Sequence, residues 1–261
     1  MNNKYYLSVC CTFKNESHSL KEWVEHYIFH GIEHFYLIND NSDDDFLSIL
    51  QPYIDKNIVE LFNPKIDYYL GRQRDMYNIF VLPRLKESKW LFVCDMDEYL
   101  WSKEHLDIKN ILKQCEHYGQ IQVCDTFFGS SGHISQPKYL IPSFINRTKG
   151  QPTRNGVKDG VLKYFVNSDF NFTSLNIHYA DFEDSKFKIP QYFIILDSPY
   201  FIINHYCCQS LDFWKSIKCT RGDLDNYLKR TIEHFNKLDF NDFSDTELYE
   251  QNKILYETIL K

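Results

Sequence analysis

The feature that most restricts the fold of this chain lies at residues 90–99. Five apolar residues in a row, Trp90, Leu91, Phe92, Val93 and Cys94, run straight into Asp95, Met96, Asp97 and Glu98. An uninterrupted apolar run of this length suits a strand covered on both faces, as in a parallel sheet between two layers of helices. Ligands of such sheets collect at the carboxyl ends of the strands, which is where Asp95 and Asp97 fall. In extended backbone residues two apart share a side, so both carboxylates can address one divalent cation. Glu98 lies on the alternate side. The plain alternative is a strand that ends in solvated acids, and an isolated Asp-x-Asp does not decide between the two.

The flanking segments supply the layers. A strand over 5–12 runs into Phe13, Lys14, Asn15 and Glu16. Ser19 and Glu22 then have the spacing of a capping box, and Leu20, Trp23, Val24, Tyr27 and Ile28 share one helical face. A strand over 34–38 leads to Asn39, Asp40 and Asn41, a short helix over 44–50 stops before Pro52, and a third strand covers 58–62. A helix over 71–82 meets Pro83, which ends or kinks it. This β-α-β-α-β-α-β order predicts an α/β fold with a doubly wound, mostly parallel sheet. Past residue 104 the alternation loosens into a helix over 105–115, strands over 119–127, 160–166, 174–178 and 201–206, and a charged helical tail over 210–261. No internal repeat and no linker divides the chain, so a single domain is expected.

Composition narrows the function. The net charge of −7 argues against a nucleic-acid partner. No apolar run approaches the length of a transmembrane segment, and the first residues already read as a strand rather than a leader. The 8 cysteines form no C-x-x-C pairs. Cys10-Cys11 and Cys207-Cys208 sit in apolar runs, as buried thiols of a reducing compartment would, so a cytoplasmic location is expected.

Asp95 and Asp97 are hard oxygen donors suited to Mg²⁺ or Mn²⁺ bridging a diphosphate, where the cation neutralises charge on a departing group. His205 ends another apolar run and can complete a metal shell; a hydrogen-bonded structural imidazole is the alternative. Arg72 and Arg74 at a helix start can meet a phosphate or form a solvated face. The loop Gly129-Ser130-Ser131-Gly132-His133 lacks the Lys-Ser/Thr pair of a Walker loop, and no G-x-S-x-G elbow is present.

In order along residues 12–247, the chain carries Lys14-Asn15-Glu16, Glu22-Trp23, His30-Gly31, Asp40-Asn41-Ser42, Gln73, the 90–98 run, Phe128 to His133, Lys163, His178, Asn204-His205-Tyr206, Lys218 with Arg221-Gly222, and Asp239-Phe240-Asn241-Asp242. This series resembles glycosyltransferase family 92 and its family-2-like relatives. The resemblance implies a GT-A fold in which residues 1–104 bind the nucleotide, 105–209 face the acceptor and 210–261 form a helical tail. It implies a UDP-sugar donor, a glycan or glycoconjugate acceptor and a Mn²⁺ or Mg²⁺ cofactor. Thr12, Phe13, Asn15, Glu16 and Asp40 would line the nucleoside, and Gln73, Arg74 and Met96 would lie near the nucleotide. Lys163 would meet the diphosphate or the donor sugar. Asp97 would ligate the metal directly, Asp95 would support it, and His205 would complete the site. Where relatives commonly have Trp before the Phe-Gly run, this chain has Asp125. The superfamily mechanism implies inversion, with Asp125, Asp181 or His133 as candidate base. A nucleotidyltransferase and an inactive carbohydrate-binding module are the rival readings.

Overall fold

The computed structural model describes residues 3–150, 153–154, 157–158, 162–182, 193–196, 200–221 and 229–261. Strands and helices alternate at first: β1 (Tyr5–Phe13), α1 (Ser17–Phe29), β2 (His34–Asn39), α2 (Phe46–Ile54), β3 (Val59–Phe62), α3 (Arg72–Met76) and β4 (Ser88–Val93). There follow β5 (Glu98–Trp101), α4 (Lys109–Leu112), β6 (Gln120–Phe127), β7 (Asn146–Arg147), β8 (Thr153–Arg154), β9 (Val157–Lys158) and β10 (Leu162–Asn167). The remainder comprises β11 (Phe172–Leu175), β12 (Ala180–Phe182), β13 (Phe193–Leu196), β14 (Ile202–His205), α5 (Leu211–Phe213), α6 (Cys219–Arg221), α7 (Ile232–Leu238), β15 (Phe243–Ser244) and α8 (Glu247–Thr258).

The main sheet has the order β3-β2-β1-β4-β10-β6-β14-β5, and β13 also pairs with β6. β1 runs parallel to β2 and β4, and β2 runs parallel to β3. β10 is antiparallel to both β4 and β6, and β14 is parallel to β6. Hence β6 and β14 point the same way as β4, and their carboxyl ends share one edge of the sheet with those of β1 and β2. The result is the expected α/β architecture, a mostly parallel central sheet flanked by helices. The smaller pairs are β7 with β15, β8 with β9 and β11 with β12.

The β4 run is apolar on both sides because it feeds two separate cores. Trp90 and Phe92 pack with Leu7, Val9, Trp23 and Tyr27, whereas Leu91 and Val93 pack with Cys10, Met76, Tyr77 and Tyr164. Burying each such side chain contributes roughly 1.5–3 kcal/mol, so a strand with this pattern has nowhere else to go.

The order of the strands also forces a curl. β4 and β5 are joined by residues 94–97 alone, yet β10, β6 and β14 lie between them in the sheet. In a flat sheet they would stand about 19 Å apart at roughly 4.8 Å per strand. Five residue steps could span at most about 17 Å fully extended. The connection is in fact a tight turn, with Glu98 N–H donating to the Asp95 carbonyl at 3.2 Å. The sheet therefore wraps around, and residues 94–97 sit at the point of closure.

Local departures from expectation have local causes. The Ser19–Glu22 capping box does not form: α1 starts at Ser17, and Glu22 is buried, accepting from the backbone N–H groups of Leu140 and Ile141 and from the Tyr256 hydroxyl. α2 continues through Pro52 on its exposed side instead of stopping before it. The helix expected over 71–82 shortens to α3 and continues as a π-helical turn (Tyr77–Val81) and a 3₁₀ turn (Leu82–Glu87) at Pro83. Of the 105–115 helix only α4 forms. β5, although it falls before residue 104, is the far edge strand beside β14, so that boundary does not separate two bodies. Part of the strand expected over 160–166 lies outside the described residues, as does Gly222. None of the described helices is long and apolar enough to cross a membrane, and all eight cysteines are free.

Candidate active site

At the closure of the curl the 94–98 turn is fastened from every direction. Asp95 N–H donates to Glu98 Oε2 at 2.8 Å, and the Glu98 carbonyl accepts from Trp23 Nε1 and the Tyr27 hydroxyl, each at 3.0 Å. The Asp97 carbonyl accepts from Tyr206 N–H at 2.8 Å. The backbone of the turn that carries the carboxylates is thus fixed by hydrogen bonds with α1, with Tyr206 at the end of β14 and with the Glu98 side chain itself.

Three strands bring their charges to this turn. Lys163 of β10, 1% exposed, places Nζ 2.6 Å from Asp95 Oδ2 and 3.6 Å from Glu98 Oε2. His205, closing β14, directs Nε2 to Asp97 Oδ1 at 3.4 Å and Nδ1 to Asp125 Oδ2 of β6 at 2.6 Å. Lys218, in a π-helical turn (Trp214–Lys218), donates from Nζ to Asp97 Oδ2 at 2.9 Å. Gln73 of α3 donates to Asp95 Oδ1 at 3.1 Å. π-Helical turns are rare and cluster at functional sites.

The electrostatics follow from burial and pairing. Burial pushes the Asp97 carboxyl up, but Lys218 and His205 outweigh it and hold the group well below the usual range. Asp95 is likewise pushed up by burial and lowered overall by Lys163. Glu98 is fully buried and is pushed up to about 8, Lys163 offsetting only part of the desolvation. Of these carboxylate oxygens, Glu98 Oε1 and Asp125 Oδ1 are buried and have no hydrogen-bond partner among the described residues. Unsatisfied buried oxygens are costly and signal a missing donor or cation. Glu98, Asp125 and His205 each bring one donor atom into a group no wider than 4.8 Å, a set able to hold a metal ion. The group shares His205 with the expected Asp95, Asp97 and His205 set and differs in its carboxylates.

The other expected residues fall in varied surroundings. Asn15 and Asn41, at the ends of β1 and β2, adopt left-handed backbone with φ of 55° and 53°, which asparagine tolerates best after glycine. Asn15 N–H donates to Ser42 Oγ at 2.9 Å and Asn15 Oδ1 accepts from Asp43 N–H at 2.9 Å, stitching the two strand ends together. Thr12 is buried, its Oγ1 without a hydrogen-bond partner among the described residues, and the Glu16 carbonyl accepts from the N–H groups of Ser19 and Leu20. Phe13 packs edge-on against Phe46 in the core and Met96 is buried in the same core, so neither side chain faces a ligand. Asp40 is buried in an ion pair with Arg72. Arg74, expected at the nucleotide, instead pairs with Asp75 and is half-exposed, because the helix turns it outward. Beside these strand ends lies a cleft of about 420 Å³ lined by Asn39, Asn41, Ser42, Phe46, Asn63 and Lys65, among others.

A sequence model described as Glycosyltransferase family 92 matches residues 4–251. The chain belongs to this family. This family 92 chain is 23% identical over 216 residues to a glycosyltransferase family 92 protein of Ricinus communis, covering 80% of itself and 36% of that protein. It is 22% identical over 228 residues to one of Arabidopsis thaliana, covering 82% and 37%. The chain thus spans about a third of the length of the curated relatives it matches. Among solved structures, Staphylococcus aureus TarS 1-349 in complex with UDP-GlcNAc aligns over 97% of this chain and 71% of that chain, at 14% identity and a TM-score of 0.44.

Of the three base candidates, Asp125 is fully buried and spends Oδ2 on His205, which removes it from any surface an acceptor would meet. Asp181 on β12 accepts from Ser174 Oγ at 2.6 Å and Asn176 Nδ2 at 3.0 Å. His133 Nε2 lies 3.0 Å from the Ser143 carbonyl. The loop that carries it is gripped by the tail: Ser130 N–H donates to Asp239 Oδ1 and Ser131 N–H to Asn241 Oδ1. Lys218 enters the sequence reading only within the family series, and Arg72 and Asp40 enter it separately, without their ion pair; charge opposite a strand-end carboxylate is the available signal.

Proposed function

We propose that this family 92 chain transfers a sugar from a nucleotide-diphosphate donor, a UDP-sugar by the family resemblance, to a hydroxyl of a glycan acceptor. The observation that carries the reading is the convergence of Asp95, Asp97, Lys163, His205 and Lys218 at the carboxyl edge of the sheet, beside the point between the parallel strands β1 and β4 where the strand order reverses. That crevice is where open α/β sheets bind their ligands. The cleft bounded by Asn39, Asn41, Ser42 and Phe46 is large enough for the nucleoside and adjoins the same edge.

The donor set fits a divalent cation. Asp97 Oδ1 and His205 Nε2 stand 3.4 Å apart, compatible with two ligands of one small cation at roughly 2.1 Å each. A cation held there supplies charge neutralisation to the departing diphosphate. The chain's own residues do the rest. Lys163 and Lys218 set two ammonium groups against Asp95 and Asp97, and the fastened turn keeps the carboxylates from rearranging during transfer. Proton removal from the acceptor falls to Asp181 or His133, with inversion by a single displacement.

The test is Asp97→Ala. Nucleotide-sugar turnover and Mn²⁺-dependent stabilisation by the nucleotide should both vanish while the fold is kept. Unchanged turnover would refute the assignment. A thermal-shift series of UDP-sugars with and without Mn²⁺ identifies the donor, since a ligand of the folded state raises stability by RT ln(1 + [L]/Kd).

A further inference from the structure

Asp125 stands apart from the other carboxylates of the cluster. Among the described residues it has no lysine partner; it is fully buried and uses one oxygen on His205 at 2.6 Å. The register explains the contact. Asp125 aligns with Ile203 in the parallel β6–β14 pair and His205 aligns with Phe127. Residues two apart share a face, so the carboxylate of Asp125 lies diagonally beneath the imidazole of His205. The Phe127 ring, 5.1 Å from the imidazole by centroid, covers one side of it. On the opposite nitrogen, Nε2 faces Asp97.

A buried carboxylate is an expensive way to fill a core position, and its replacement by an apolar residue of like volume is often neutral or stabilising. What such a group does supply is orientation. A histidine that gives one ring N–H to a carboxylate presents the other nitrogen in a fixed direction and as a better donor. We propose that Asp125 is a positioning residue, holding His205 so that Nε2 is turned to Asp97 and making divalent-cation affinity, rather than nucleotide affinity, depend on Asp125. The inference rests on the reading of Asp97 and His205 as metal ligands. It removes Asp125 from the list of bases and gives the unusual acid at this position a task.

Two readouts test it. The first is Mn²⁺ affinity of the donor-free protein, followed by the electron paramagnetic resonance signal of free Mn²⁺, in wild type, Asp125→Asn and Asp125→Ala. Loss of such a partner weakens metal affinity about 10–100-fold. Asp125→Ala should fall in that range and Asp125→Asn, which keeps an acceptor without charge, should lose less, while UDP binding without metal is unchanged. The second readout needs no metal: in ¹⁵N-histidine-labelled protein, the downfield Nδ1 proton of His205 should be present in wild type and absent in Asp125→Ala. Should Asp125→Ala fail to fold, the isosteric Asp125→Asn carries both measurements, with weakened Mn²⁺ binding and an upfield shift of that proton expected. Mn²⁺ affinity within twofold of wild type, or an unchanged Nδ1 proton, overturns the proposal. Absence of Mn²⁺ binding in wild type would overturn the metal reading instead, and the Nδ1 proton alone would then decide whether Asp125 orients His205.

Discussion

Lys163→Met isolates the electrostatic frame of the site. Methionine fills nearly the same volume, so the change removes a charge and little packing. Lys163 is 1% exposed and faces two carboxylates, Asp95 at 2.6 Å and Glu98 at 3.6 Å. Deleting one partner of a buried ion pair costs about 3–5 kcal/mol, because the remaining charge stays desolvated. Two facts place this case at the lower end. The Asp95 side chain is 32% exposed and so partly screened by solvent, and Glu98, already pushed up to about 8, can take a proton. We expect a loss of about 3 kcal/mol at pH 7, which for a chain of this size lowers Tm by about 6 °C.

The pH dependence has a definite sign. Asp95 is held below its ordinary range in the folded protein, so its contribution is present at neutral pH and is lost as pH falls through the folded value. Without Lys163 that contribution is missing from the start, so the gap between variant and wild type is widest at pH 7–8 and narrows toward pH 4. Urea unfolding at pH 8, 6 and 4.5 measures it. Adding Asp95→Asn to Lys163→Met should recover more than half of the loss, since the two residues are in direct contact and their effects cannot be additive. A loss under 1 kcal/mol at pH 7, or one that is constant across the pH series, would refute the view that Lys163 compensates the buried carboxylates.

Three further outcomes follow from other contacts. Gly129→Ala should destabilise by more than 1 kcal/mol and increase hydrogen exchange across residues 129–133, because a Cβ there would stand 2.2 Å from the Phe240 carbonyl oxygen. Asp239→Ala should speed exchange at Ser130 and Ser131 while leaving UDP affinity unchanged, since Asp239 Oδ1 accepts from Ser130 N–H and from Asn241 Nδ2, and Asn241 in turn holds Ser131 N–H. Glu22 is pushed up to about 7 by burial, against the hydrogen bonds it accepts. A carboxyl raised above its unfolded value contributes stability below pH 4.5 that is lost as pH rises through 7, so Glu22→Gln should gain in Tm relative to wild type between pH 5 and 8, the histidines being common to both proteins. A difference between the two that stays constant across that window would contradict the assignment.

The sequence made the strands legible wherever pattern and chemistry coincided. The unbroken apolar run at 90–94 and its acidic end announced a doubly covered strand meeting a ligand edge, and β1, β2 and β4 formed where expected. It misled where a local signal served a distant purpose. Glu22 has the spacing of a cap, yet it binds the backbone at Leu140 and Ile141 and the hydroxyl of Tyr256. Arg72 and Arg74 read alike in the sequence, yet two residues apart on α3 they leave the helix on opposite sides, the first toward Asp40 and the second toward solvent.

The deeper limit is sequence distance. Asp95 meets Lys163 across 68 positions, His205 meets Asp125 across 80 and Asp97 meets Lys218 across 121. Helical and strand periodicities describe neighbours within one element, so no pattern of period 2 or 3.6 can pair such residues. What pairs them is the curl, and the curl is implied by the chain itself: four residues join two strands that three others separate. Once β10, β6 and β14 are known to lie between β4 and β5, the sheet must close and the residues at their shared edge must meet. Glu98 shows the consequence. Strand alternation puts Glu98 on the side opposite Asp97, yet a turn precedes it and closure brings its carboxylate to the Asp95 N–H, Lys163 and His205. The same short connection that makes the fold close therefore makes the site, and lengthening it by two glycines should separate β5 from β14 and abolish nucleotide and metal binding together.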